Sequence, residues 1–377
     1  TSGFTAVSGV GYFVNTTAGA ISVNLPAGTA GAVVAIKDYA NTFNSNAVIL
    51  VQNGSDKVGG STVNPTLNTE GLAVTLVFVD STQGWLVTDN GTQDTAPTTL
   101  YVTATGGTIT CSGDYRIHTF TGPGTFCVSC AGNAAGSNTT DYLVVAAGGG
   151  GGSYGGGGAG AGGYRESPGT ASGCYSVSPL GVSPATAITV TAQGYPIVIG
   201  AGGTGHPVAN TNGGVSSGLG IESAGGGFGG KDDNHNGNPG GSAGGGGRRT
   251  NGGTGNTPPV SPAQGTNGGN GVYTFPGPGS GGGGGGATVA GTAGGPVGGN
   301  GGNGATSSIN GSAVARAGGG GGGSSNPGGG SGGTGGGGSG GQQNNTGPGV
   351  SGTVNTGGGG GGASDDSSPV GQGGSGI

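Results

Sequence analysis

The sequence predicts an all-β N-terminal part followed by a bundle of polyglycine-II rods, with essentially no α-helix. Three observations carry that reading. Pure glycine runs recur at Gly148 to Gly152, Gly155 to Gly158, Gly244 to Gly247, Gly281 to Gly286, Gly318 to Gly323, Gly335 to Gly338 and Gly357 to Gly362. Residues 1–92 instead alternate β-branched and polar side chains with period two. Between the glycine runs lie irregular inserts that hold nearly all the aromatic and charged residues of that half.

A glycine run has no side chain to bury, and ordering it in a helix or strand costs about 0.5–1 kcal/mol per residue beyond alanine. Polyproline-II geometry is the remaining regular option. It has three residues per turn and no internal hydrogen bonds, so every N–H and C=O points sideways toward a neighbour. Collagen needs glycine at every third position because only glycine fits its crowded axis. Here all three positions are glycine, as a rod approached from every side requires. Each inter-rod hydrogen bond contributes a net ~0.5–1.5 kcal/mol against an entropy cost of similar size, so the lattice has to be nearly complete. The glycines expected inside it include Gly149, Gly150, Gly245, Gly283, Gly284, Gly320, Gly321, Gly359 and Gly360. A flexible linker, the competing reading, has no need to separate pure-glycine blocks from aromatic-bearing inserts.

Taken in order, residues 1–92 read as a small β domain. Ile21, Val23 and Leu25 alternate, then Val33 to Ile36, Val48 to Val51, Leu72 to Phe78 and Gly84 to Val87 follow as strands. Asn53-Gly54 signals a hairpin turn, and the lone Trp85 reads as a core anchor. Residues 93–147 form a β connector of short strands at 100–102, 108–110, 116–120 and 125–128, and Asp141 to Ala147 feeds the first glycine run. Residues 148–377 are the glycine-rich domain. Its inserts, among them Tyr164 to Tyr175, Lys231 to Pro239, Arg248 to Pro278 and Ala363 to Val370, are expected to be turns between rods.

Composition narrows the function. The 377 residues include 109 glycines and only 6% charged residues, with a net charge of −6. That balance argues against binding along nucleic-acid phosphates. The longest apolar run falls short of the ~18 residues a membrane helix needs, so no membrane insertion is expected. With no methionine, Thr1 is not a translation start, and the chain is expected to be processed or part of a longer one.

Cys111, Cys127, Cys130 and Cys174 leave three readings open: a disulfide among them, free thiols, or a zinc site built on Cys127-x-x-Cys130. G-x-G-x-x-G occurs throughout and carries no weight, no P-loop lysine follows a glycine run, and no histidine sits in a recognisable catalytic constellation. No catalytic residue and no cofactor are expected. Asp232, Asn234 and Asn236 match the start of a calcium loop, but Ala243 stands where the bidentate glutamate belongs, so a solvated turn is the favoured reading.

Asp141 to Gly152, Gly155 to Arg165 and Ile197 to Gly203 resemble the glycine-rich receptor-binding tips of tailed-bacteriophage tail fibres. Gly11 to Val14, Val34 to Ala40 and Leu67 to Gly71 likewise look like tail-fibre β domains. The resemblance implies a sandwich of polyglycine-II rods at the distal end of a fibre on the virion. It also implies a homotrimer, contacts with other tail-fibre subunits, and loops that recognise a bacterial outer-surface protein or glycan. Candidate contacts on the inserts are Tyr164, Arg165, Tyr175, His235, Arg248, Arg249, Tyr273 and Phe275, since aromatic and arginine side chains carry most binding energy. For the aromatic candidates, packing against the flank of the stack is the competing role. An ice-binding or extracellular structural protein is the alternative function.

Overall fold

The computed structural model describes residues 2–91, 100–133, 136–169, 175–232, 234–273, 279–325, 327–343 and 347–377. It is all-β, with no α-helix among the described residues. The chain divides into two compact units, residues 1–98 and 99–377, so the β connector from residue 99 onward belongs to the same unit as the glycine-rich region.

In the first unit, eight strands form two four-stranded sheets. The strands are β1 (Phe4–Thr5), β2 (Val10–Val14), β3 (Ile21–Asn24), β4 (Val33–Asp38), β5 (Val48–Val51), β6 (Thr66–Leu67), β7 (Ala73–Asp80) and β8 (Gly84–Gly91). One sheet runs β1-β3-β5-β6 and the other β2-β4-β7-β8. Period-two alternation puts Val23, Leu25, Val34, Ile36, Val48, Leu50 and Leu76 of both sheets into one core around Trp85. Asn53-Gly54 does turn, with Gly54 at φ 56°, but the next strand begins only at Thr66, so β5 and β6 pair antiparallel across a long connection and not through a tight hairpin. Asp38 is fully buried, and its carboxylate accepts from the N–H groups of Ala40 (3.3 Å), Thr42 (3.1 Å), Phe43 (3.0 Å) and Gly71 (3.0 Å). Burial alone would raise this carboxyl, yet the N–H groups of Phe43, Thr42, Gly71 and Ala40 together hold it below its ordinary value.

The second unit opens with β9 (Val102–Thr105), the hairpin β10 (Thr108–Ser112) and β11 (Tyr115–Thr119), and β12 (Gly124–Ala131), which pairs with β9 and with Gly194–Ile197. Leu143–Val145 then pairs antiparallel with Tyr164–Glu166. From Val145 onward the chain changes from strand to rod without losing that register. Ala146, Gly149 and Gly152 donate to the carbonyls of Gly163, Gly160 and Gly157, one bond every third residue. The two interleaved sets of donors serve other rods: Ala147 and Gly150 bond Gly214 and Thr211, while Gly148 and Gly151 bond Gly374 and Gly371. Three residues per turn with all bonds sideways is the polyglycine-II pattern.

Residues 156–163 form the central rod. Rods 145–152, 357–363, 317–323, 281–286, 242–247 and 224–230 surround it and bond to each other in that cyclic order, closing a ring of six. Gly283 shows what this costs in side-chain space: it donates to Thr292, accepts from Gly269, and a Cβ there would overlap the Asn300 carbonyl. Gly149, Gly150, Gly245, Gly284, Gly320, Gly321, Gly359 and Gly360 are likewise buried and bonded on both sides.

Two expectations are corrected. The inserts are not all turns: residues 250–255 and 266–271, inside Arg248 to Pro278, are rods at the edge of the lattice. An edge rod has neighbours on only some sides, so the third position can carry a side chain outward. Asn267, Asn270, Asn300 and Asn303 occupy such positions, and their amide oxygens accept from Gly255, Gly252, Ser331 and Thr334. Each asparagine thereby supplies the acceptor that a missing rod would have offered. Conversely, Gly335 and Gly336 do not extend a rod but turn the chain, at φ 98° and 95°.

Two measurements check this account. Gly158→Ala drives a methyl into the Gly320 carbonyl and should cost about 3 kcal/mol or more, whereas Gly295→Ala, with open space, should leave thermal melting unchanged. For the first unit, the depressed Asp38 carboxyl contributes stability that is full above about pH 4 and is lost as pH falls through its folded-state value. Asp38→Asn should lower the melting temperature at neutral pH and flatten the acid limb of its pH dependence.

Candidate functional site: the far end of the glycine stack

The alternating rod directions sort the connections to two ends. Strand Leu143–Val145 enters at the near end, so turn 153–155 lies at the far end. Other far-end turns are tied to it by backbone bonds. Tyr154 and Gly155 donate to Asp365 and Ser364, Asp232 donates to Ser153, and Arg248 donates to Gly155. The Ser153 hydroxyl donates to Asp366 Oδ1 at 2.9 Å, and the Thr250 hydroxyl to the His235 carbonyl at 2.8 Å. Four segments remote in sequence thus form one surface.

Its centre is a ladder of cations and rings. The Arg248 guanidinium lies 3.9 Å from the Tyr154 ring centroid and 5.9 Å from that of Tyr273, and Arg249 lies 3.8 Å from the Tyr273 centroid. Such stacking is worth about 0.5–1 kcal/mol per pair at exposed sites and fixes the direction of each planar fork. Tyr154, Asp232 and Arg249 sit at φ 61°, 50° and 69°, a left-handed conformation that non-glycine residues adopt at a cost of order 1–3 kcal/mol and that clusters at binding sites. Around the ladder, His235 Nδ1 and Asp232 Oδ1 are 3.0 Å apart. Burial opposes ionisation of Asp232, but the His235 ring and the Asn234 N–H hold its carboxyl below the ordinary value. Ser367 does the same for Asp365.

His235, Arg248, Arg249 and Tyr273 are therefore brought together; Phe275 lies outside the described residues. Tyr164, Arg165 and Tyr175 are not at this end. Tyr164 is 1% exposed in the near-end core, its hydroxyl donating to Glu166 Oε2 at 3.0 Å, so packing rather than contact is its role. Arg165 donates to the Glu222 carbonyl at 3.3 Å, and Tyr175 lies 3.4 Å from the Ser167 hydroxyl. Tyr154 and the Asp365–Asp366 pair are contributors that sequence reading passed over. The signal for Tyr154 was the two-residue break Ser153-Tyr154 between glycine runs.

The match to the start of a calcium loop lies on these far-end turns. Asp232 Oδ1 accepts from the Asn234 N–H at 2.9 Å and Asn236 Oδ1 from the Asn251 N–H at 3.0 Å, so the oxygens close turns instead of converging. No group of His, Cys, Asp or Glu among the described residues could hold a metal. Cys111, Cys127 and Cys130 carry free thiols, and Cys174 lies outside the described residues. Cys127 and Cys130 share one strand; three steps of ~3.3 Å exceed the ~7 Å reach of a disulfide.

A family model for a glycine-rich domain matches residues 121–377, more than half of the chain. The chain belongs to that glycine-rich domain family. The match begins within the β connector and takes in every rod and both ends of the stack. No curated protein matches the chain.

If the ladder acts as a unit, a double-mutant cycle between Arg249→Ala and Tyr273→Ala should show a coupling of about 0.5–1 kcal/mol in chemical denaturation. Additive effects would show that the stacking contributes nothing.

Proposed function

We propose that this chain is a non-enzymatic receptor-binding adhesin at the distal end of a tailed-bacteriophage tail fibre, recognising a bacterial outer-surface protein or glycan. The observation that carries this reading is the convergence of Tyr154, His235, Arg248, Arg249 and Tyr273 on one end of a stack whose interior is backbone. A surface mounted on bonded rods is already ordered before it meets a partner, which removes much of the entropy cost that flexible loops bring to binding. Aromatic rings and guanidinium groups are the side chains that most often dominate such contacts. On this reading the protein resides on the virion, assembles as a homotrimer with other fibre subunits, and uses its first unit for that assembly.

The alternative, an ice-binding or structural protein, needs a flat face of repeated small residues open to solvent. The asparagine repeats of the edge rods are occupied with closing the lattice. That favours the adhesin.

The test uses retention of the purified chain on bacteria that bind it. Replacing Arg248, Arg249 and Tyr273 with alanine together should reduce retention at least tenfold with the stack still folded and its melting lowered by no more than a few degrees. Arg165→Ala, at the opposite end, should leave retention intact. Equal retention for the triple variant and the parent overturns the assignment of the far end as the contact surface.

A further inference from the structure

The near end of the stack borders a cavity of about 1090 Å³. Its walls come from the hairpin β10–β11, from the sheet of β9 and β12, and from segments 141–144 and 308–311 of the stack's near end. Arg316 lines it. This arginine closes the hairpin of Ala305–Ser307 and Val314–Arg316 and is only 5% exposed.

Its charge is poorly served by the protein. Glu166, also buried, spends its carboxylate on neutral donors: the Tyr164 hydroxyl and Ser178 N–H, each at 3.0 Å, and the Ser307 hydroxyl at 2.5 Å. Glu166 and Arg316 form no ion pair, so Glu166 influences Arg316 only through its field. Arg316 Nε and Nη1 have no hydrogen-bond partner. Nη2 reaches the Asn310 side-chain oxygen at 3.3 Å, with the amide turned to face it. A buried guanidinium without a bonded anion is held at considerable cost; Nε and Nη1 are closed to solvent, so a counter-charge arriving from the cavity requires the side chain to turn toward it.

We propose that this cavity binds an acidic saccharide, its carboxylate set against Arg316. Arginine is the side chain best shaped to hold a carboxylate. The remaining wall suits a sugar ring. Tyr101 and Tyr115 line the cavity at 65% and 38% exposure and offer apolar ring faces, while Ser308 and Asn310 offer hydrogen bonds to hydroxyls. The site is at the opposite end from Arg248 and Arg249, so it does not depend on the receptor-binding reading of those residues.

Isothermal titration of the full chain with D-glucuronate and D-galacturonate, against glucose and galactose, tests the proposal. The uronates should bind at least tenfold more tightly than the neutral sugars. Arg316→Gln should weaken uronate binding at least tenfold, and Arg316→Lys by less. Because replacing a buried arginine can disturb folding, a second variant approaches from the half-buried wall: Ile309→Trp, next to Asn310, should narrow the cavity and weaken uronate binding at least tenfold with the chain still folded. Absence of uronate binding to the parent chain overturns the proposal. So does equal binding of glucose, or uronate binding that survives both Arg316→Gln and a folded Ile309→Trp.

Discussion

The sideways hydrogen bond between glycine rods is the interaction on which the second unit rests. It replaces the apolar core as the source of cohesion, and it works only where no Cβ intervenes. At Gly158, Gly283 and Gly320 the space a methyl would fill is already occupied by a neighbour's carbonyl. The ring of six around residues 156–163 is therefore the counterpart of a packed core. Its close approach is set by backbone alone, and its strength is the sum of many bonds of roughly 1 kcal/mol each.

That constraint divides the sequence into roles. The central rod is glycine except for Ala159 and Ala161, and the ring around it is mostly glycine, with exceptions such as Phe228 and Ser242. Edge rods admit one larger residue in three, and asparagine serves there because its amide oxygen reaches the next rod's N–H. Side chains of size and charge are then confined to the two ends. At the far end they stack as arginine on tyrosine; at the near end they form the buried group of Tyr164, Glu166, Ser307 and Arg316. The first unit obeys the ordinary rule instead, with two sheets closing on aliphatic residues and Trp85.

Much of this was legible from residues in order. Period-two runs located the strands of the first unit, and all-glycine runs located the interior rods, because both signals are local. Edge rods were misread as turns because an asparagine or threonine in every third position resembles loop composition. Only the bond pattern shows that such residues stand beside glycines of a neighbouring rod. Tyr164 was misread for a related reason: an aromatic beside a glycine run looks the same whether the rod ends in solvent or beside the strand at Leu143–Val145.

What the sequence determined by itself is the material: strands first, then side-chain-free rods, with chemistry restricted to their connections. It did so because conformational preference and Cβ sterics act residue by residue. What only the tertiary structure decided is which connections meet. Rod direction sent turns 153–155, 231–232 with 234–236, 248–250 and 364–368 to one end and Tyr164, Arg165 and Tyr175 to the other. That outcome depends on hydrogen-bond partners more than two hundred residues apart, such as Gly155 and Ser364, and no local pattern encodes such a pairing.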